Sequence, residues 1–329
     1  MRRWLTGKRV AVLTAAYFVL SLLGGAALVE ISLRPPTLRP VNEAALQRAT
    51  AQAQQLGATL EAVELTTSDN VTLKAWLVRP AAERANVDAV VLLHGVSDSR
   101  VGALGFAPFL LEHGYTLLLP DARAHGQSGG LATYGLLERN DVRAWARFAR
   151  ERITTQPASR ARTGTCIYAF GASMGAAMAL QSLADGAHDF CAVVVDSPFS
   201  DFKEVAFDRV GQPFGAGVWL GRTVLRPLVE IAFLYGRAKY GFEFSKASPR
   251  EAMAGSIVPI LLIHGEADDN IPIRHAVALK TAAPSIEYWP VAEATHTAAH
   301  GVAKDEYERR VLGWFVQHRA PAVQRSSAR

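Results

Sequence analysis

Gly171-Ala-Ser173-Met-Gly175 sets a serine between two glycines, after the apolar run 165–170 and before the helix-forming stretch 176–184. On so sharp a strand-to-helix turn the serine sits at strained backbone angles, and side chains at 171 and 175 would meet the strand and helix. A serine hydroxyl is a poor nucleophile at neutral pH. It needs an imidazole to take its proton and a carboxylate to hold that imidazole in the right tautomer. After a nucleophile on this kind of turn, the acid and then the histidine follow in chain order.

Two later stretches meet that requirement. His264-Gly-Glu-Ala-Asp268-Asp269-Asn-Ile-Pro272 closes one apolar run, and Ala292-Glu-Ala-Thr-His296-Thr-Ala-Ala-His300 follows the next. Asp268 is the expected acid, with Asp269 and Asp196 as alternatives. His296 is the expected base, because His300 lies a turn later on a probable surface helix. The other histidines read as structural or solvated. Negative charge on a carbonyl oxygen needs two backbone N–H donors, expected from Met174 at the helix start and from Val96 in the turn after the apolar run ending at His94. No cofactor and no metal-ligand set is expected. Cys166 and Cys191 are too few for a disulfide scaffold. They read as two buried free thiols, with a bridge as the alternative that a Cα separation above about 7 Å would exclude.

The elements that must position these residues follow from periodicity. The stretches 60–66 and 71–78 alternate apolar and polar residues about the turn Ser68-Asp-Asn, which predicts a hairpin of half-exposed strands. Continuous apolar runs at 88–94 and 115–121 predict strands buried on both faces, and 165–170, 191–196, 257–264 and 286–289 read as further strands. Helical patterns at 42–56, 106–113, 138–153 and 305–318 lie between or beside them. Strands alternating with helices predict a doubly wound, mostly parallel sheet with helices on both faces and ligands at the carboxyl ends of the strands.

Residues 202–250 break the alternation, and their aromatics, among them Phe207, Phe214, Trp219, Phe233 and Phe244, predict a helical cap over the site. An apolar acyl or aromatic pocket beneath it is expected.

Val10 to Val29 is uncharged and apolar throughout. Its twenty residues span ~30 Å, the thickness of a bilayer's hydrocarbon. Arg2, Arg3, Lys8 and Arg9 precede it, which predicts a single-pass anchor with a cytoplasmic N-terminus and the bulk of the chain on the outer face. A cleaved signal peptide, and hence a secreted chain, is the alternative. Those four residues supply four of the five net positive charges, so the rest of the chain gives no footprint for nucleic acid. The expected divisions are 1–9 basic segment, 10–29 anchor, 30–58 linker and short helix, 59–201 first part of the core, 202–250 cap, 251–318 second part of the core, and 319–329 flexible tail.

His94-Gly95, Asp121-Ala-Arg123-Ala-His125-Gly126-Gln-Ser128, Gly171-Ala-Ser173-Met-Gly175, His264-Gly-Glu-Ala-Asp268 and His296 resemble the α/β-hydrolase superfamily. Within it, the chain resembles the serine aminopeptidase-like, membrane-anchored serine hydrolases over about Leu60 to Phe315. The resemblance implies an eight-stranded α/β-hydrolase fold, a cap inserted before the strand that carries the acid, and hydrolysis of esters, thioesters or amides. The sequence departs from the pattern at Ala124, where the family's Arg-Gly-His-Gly has glycine. A small-molecule acyl ester is the expected substrate. A peptidase or acyl-peptide hydrolase, and a non-catalytic binding scaffold, are the alternatives.

Overall fold

The computed structural model describes residues 2–154, 164–186, 188–215 and 217–319, so all of the expected tail but Arg319 lies outside the described residues. Helix α1 (Arg2–Leu33) is followed by α2 (Glu43–Gln55), the hairpin β1 (Thr59–Thr66) and β2 (Thr72–Arg79), and β3 (Ala89–Leu93). Then come α3 (Ala107–Glu112), β4 (Thr116–Pro120), α4 (Glu138–Thr154), β5 (Ile167–Ala172), α5 (Met174–Gln181) and β6 (Ala192–Asp196). A helical insertion follows, built from α6 (Phe202–Gly211), α7 (Gly217–Arg222) and α8 (Arg226–Tyr240). The chain then returns to β7 (Ile260–Gly265), α9 (Arg274–Ala282), β8 (Glu287–Val291) and α10 (Lys304–Gln317).

The eight strands form one sheet in the order β1-β2-β4-β3-β5-β6-β7-β8. Only β2 runs against its neighbours, and every other pairing is parallel. Alternation explains why the inner strands are apolar throughout. Ala89, Val91 and Leu93 face one core with Ile167, Ala169, Val193, Val195 and Leu262, covered by α4, α5 and α9. Val90 and Leu92 face the other with Tyr168, Phe170, Val194 and Ile263, covered by α2, α3 and α10. A strand between two helical layers has no polar side to show.

Two expectations need correction. The hairpin is not half-exposed on both strands: Ala75, Trp76, Leu77 and Val78 of β2 are buried. Ala75 and Leu77 face one core and Trp76 and Val78 the other, so layers pack on both sides of β2. The cysteines are not free either. Cys166 and Cys191 form a disulfide with a Cα separation of 5.6 Å. β5 and β6 pair in parallel with Tyr168 opposite Ala192, and the Cys191 amide donates to the Ile167 carbonyl, so the two residues just before these strands become neighbours.

Candidate active site

Ser173 stands at the end of β5 with φ 53° and ψ −117°, a left-handed backbone that side chains disfavour. The flanking glycines are required by contact. A Cβ at Gly171 would lie 2.4 Å from the Gly175 carbonyl oxygen, and one at Gly175 would lie 2.3 Å from the Leu93 carbonyl oxygen. Backbone cannot yield as a side chain can, so this turn admits only glycine at both positions. The Ser173 amide donates to the Asp196 carbonyl, tying the turn to β6. Met174 is the first residue of α5, and an amide there has no acceptor within the helix.

The three residues expected to act together do meet. The Ser173 hydroxyl donates to His296 Nε2 at 2.9 Å, and His296 Nδ1–H donates to Asp268 Oδ2 at 2.8 Å. The other carboxylate oxygen of Asp268 accepts from the amides of Asn270 and Ile271 at 2.9 and 2.8 Å. His264 Nε2 donates to the Ile271 carbonyl at 2.8 Å and closes that loop from below. Burial by itself would raise the Asp268 pKa. The hydrogen bond and charge of His296, the Ile271 amide and His264 outweigh it and hold the carboxyl below its ordinary value. Asp268 is buried, so it is an acceptor fixed in place, and the imidazole keeps its proton on Nδ1 with the Nε2 lone pair facing the serine.

The alternatives go elsewhere. Asp269 is exposed. Asp196 accepts from Ser197 Oγ and from the Tyr307 hydroxyl, both at 3.0 Å, and burial pushes its pKa up to about 6. His300 bonds Glu308 at 2.9 Å and packs against Phe106 and Tyr307. His296-Thr-Ala-Ala-His300 is a His-x-x-x-His, contrary to the reading that the sequence holds no such set. The helix begins only at Ala299, and each imidazole has its own carboxylate. Among the described residues no group of three or more His, Cys, Asp or Glu could hold an ion.

The His94–Val96 turn lies against the serine. A Cβ at Gly95 would sit 3.4 Å from Ser173 Cβ and 3.9 Å from its Oγ. His94 Nε2 accepts from the Ala122 amide at 3.0 Å, so Nδ1 carries the proton and donates to the Gly95 carbonyl at 2.7 Å. In a trans peptide this turns the Val96 N–H the opposite way from His94. Asp121 orders the adjoining loop by accepting from the Arg100 and Gln127 amides at 2.8 Å each. Arg123 bridges Asp69 and Asp141 through paired hydrogen bonds. Ala124 has φ 57°, so the residue that replaces the family's glycine sits where glycine is favoured.

Sequence reasoning did not single out Ser197 and Thr297. Both have left-handed backbones (φ 54° each), and the Thr297 amide donates to Ser197 Oγ at 3.2 Å, which moors the His296 loop to the end of β6. Nor did it find Asp208, His275 and Ser200. His275 Nε2 bonds Asp208 at 2.9 Å and its Nδ1 bonds Ser200 Oγ at 2.9 Å, all buried, joining α6 of the insertion to α9 of the core. Serine and histidine adjacent to helices carry no spacing rule that would have exposed either set.

Ser173, Met174, Val96 and His296 open into one cavity of about 1080 Å³ whose other walls include Phe202, Phe233 and Phe244 of the insertion and Val29 of α1.

Residues 84–229 match the family model described as serine aminopeptidase, S33. The chain is 29% identical over 192 residues to the protein YqkD of Bacillus subtilis (strain 168), a match covering 56% of this chain and 57% of that relative. It therefore spans less than two thirds of that relative's length. Among solved structures, an esterase of Pyrococcus furiosus superposes with a TM-score of 0.64 at 25% identity, over 86% of this chain and 97% of that one. Dipeptidyl peptidase 4 of Porphyromonas gingivalis shares the fold, with a TM-score of 0.54 at 18% identity, over 78% of this chain and 35% of that one.

Proposed function

We propose that this chain, which belongs to the α/β-hydrolase superfamily, is a membrane-anchored serine hydrolase that cleaves carboxylic esters through an acyl-enzyme on Ser173. The observation that carries the reading is the unbroken relay from Ser173 Oγ through His296 to Asp268, at 2.9 and 2.8 Å. In the first step the Ser173 oxygen bonds the ester carbonyl carbon as its proton passes to His296 Nε2. The Met174 and Val96 amides hold the resulting oxyanion. His296 then protonates the leaving alkoxide, and the C–O bond breaks. Water repeats the sequence, giving its proton to His296, and releases the acid and free Ser173. Asp268 keeps the imidazole oriented and offsets its positive charge throughout.

Esters are favoured because an alkoxide leaves more readily than an amine and asks less of the site. The family model's description as an aminopeptidase supports a peptidase as the second reading. The same description and the Pyrococcus esterase favour hydrolysis over a binding scaffold.

Gly7–Leu33 is one helix long and apolar enough to cross a membrane. A retained anchor is favoured over a cleaved signal, because Leu33 and Val29 at its end are buried against Ala232 and Phe244 of the insertion. Cleavage would uncover that cluster. The Cys166–Cys191 bridge supports the outer, oxidising face for the catalytic body.

Labelling of the full chain with a fluorophosphonate probe tests the chemistry. Ser173→Ala is expected to abolish the label. An unlabelled intact protein overturns the reading, and faster turnover of aminoacyl amides than of matched esters replaces it with the peptidase.

A further inference from the structure

The catalytic cavity is not closed by the core and insertion alone. Val29, Ser32 and Leu38, at and just beyond the end of the apolar helix, form part of its wall together with Phe202, Phe233 and Phe244. At about 1080 Å³ it lies at the upper end of the ~300–1,000 Å³ usual for small-molecule pockets.

The helix is locked onto the insertion along a considerable length. The Tyr17 hydroxyl donates to the Val224 carbonyl near the start of α8. A Cβ at Gly25 would lie 2.8 Å from the Leu228 carbonyl oxygen and 2.9 Å from Ile231, so glycine is what allows the two helices to touch. Farther along, Glu30 accepts from Lys239 at 2.7 Å and from the Tyr235 and Tyr240 hydroxyls at 2.8 Å. From residue 17 to residue 30 these contacts cover ~20 Å of helix. If the apolar run spans the bilayer, α8 lies beside its outer half. The outward residues of the insertion suit that position: Trp219 and Leu234 are each 65% exposed, and Val224 is also exposed.

From this geometry we propose that the substrate is the long-chain acyl ester of a membrane lipid, whose chain enters from the outer leaflet past the end of α1, where Val29, Ser32 and Leu38 wall the cavity, and lies there with its carbonyl at Ser173. The proposal rests on the hydrolase reading and on the anchor being retained. An acyl chain passing from lipid to such a cavity never has to enter water.

The test uses the full chain in phosphatidylcholine vesicles. p-Nitrophenyl acetate, laurate and palmitate and a palmitoyl lysophospholipid are hydrolysed in parallel with fluorophosphonate labelling. We expect palmitate to exceed acetate in kcat/KM by about 100-fold or more. Gly25→Leu, which forces α1 away from α8, is expected to keep the label while lowering palmitate and lysophospholipid turnover by about ten-fold or more, with acetate changed less than about two-fold. Acetate turned over as fast as palmitate overturns the proposal and leaves the hydrolase reading standing. So does an equal loss of both esters in a labelled Gly25→Leu protein. No label on the unaltered chain overturns the hydrolase reading and this one with it. Should Gly25→Leu fail to fold, shown by loss of its own label, the chain-length profile of the unaltered protein decides.

Discussion

At Ser173 a strained backbone is held in place by two glycines that nothing larger can replace, and by an amide bond to the next strand. The same economy separates the two buried aspartates nearby. Asp268 receives His296 and two amides and is kept ionised. Asp196 is more deeply enclosed, and burial outweighs its two hydroxyl donors, raising its pKa to about 6. A raised acid stabilises the fold while protonated in it. That contribution is fully present below the unfolded value near 3.9 and is lost as pH rises through about 6. Asp196→Asn is therefore expected to remove a fall in thermal stability between about pH 4 and pH 7 that the unaltered chain shows, read as Tm against pH. Turnover should drop by less than about ten-fold in that variant, whereas Asp268→Asn should lower kcat by roughly a thousand-fold or more. Equal losses in the two variants would mean that the roles given to these carboxylates are wrong.

At the scale of elements, a parallel strand pair decides which residues become neighbours. Cys166 and Cys191 precede β5 and β6, are 25 residues apart in sequence, and meet because those strands pair side by side in register. Closing a loop of that length in the unfolded chain is worth about 3 kcal/mol. Replacing both cysteines by alanine is expected to lower stability by about 2–4 kcal/mol in denaturant titrations, with Ser173 labelling retained. An unchanged midpoint would show that the bridge contributes nothing. The hairpin teaches the converse lesson. β1 and β2 alternate similarly in sequence, yet β2, inside the sheet, meets one core through Ala75 and Leu77 and the other through Trp76 and Val78. Alternation reports what one strand prefers, and sheet order decides what it receives.

For the whole molecule, the N-terminal helix and the insertion are joined through Gly25, Glu30 and the cluster of Val29, Leu33, Ala232 and Phe244. The insertion is in turn moored to the core by His275 between Asp208 and Ser200. The proposed topology holds the basic residues before the apolar run inside and places the catalytic body on the outer side. In right-side-out vesicles, external protease is expected to remove the body, and a tag before Arg2 should survive until detergent is added. Protection of the body instead would reverse the orientation.

The chain alone determined a great deal here. Continuous apolar runs specified buried parallel strands, and the Gly-x-Ser-x-Gly turn specified the strained serine. The order of Ser173, Asp268 and His296 after β5, β7 and β8 specified the relay. These features are local, or depend only on chain order, so they survive in a linear text. Tertiary structure decided the rest: the Cys166–Cys191 bridge, the mooring of the His296 loop by Ser197, and the completion of the cavity by the end of α1. Each of these joins residues through strand register or helix docking, and such distances are set only when the sheet and its layers have closed.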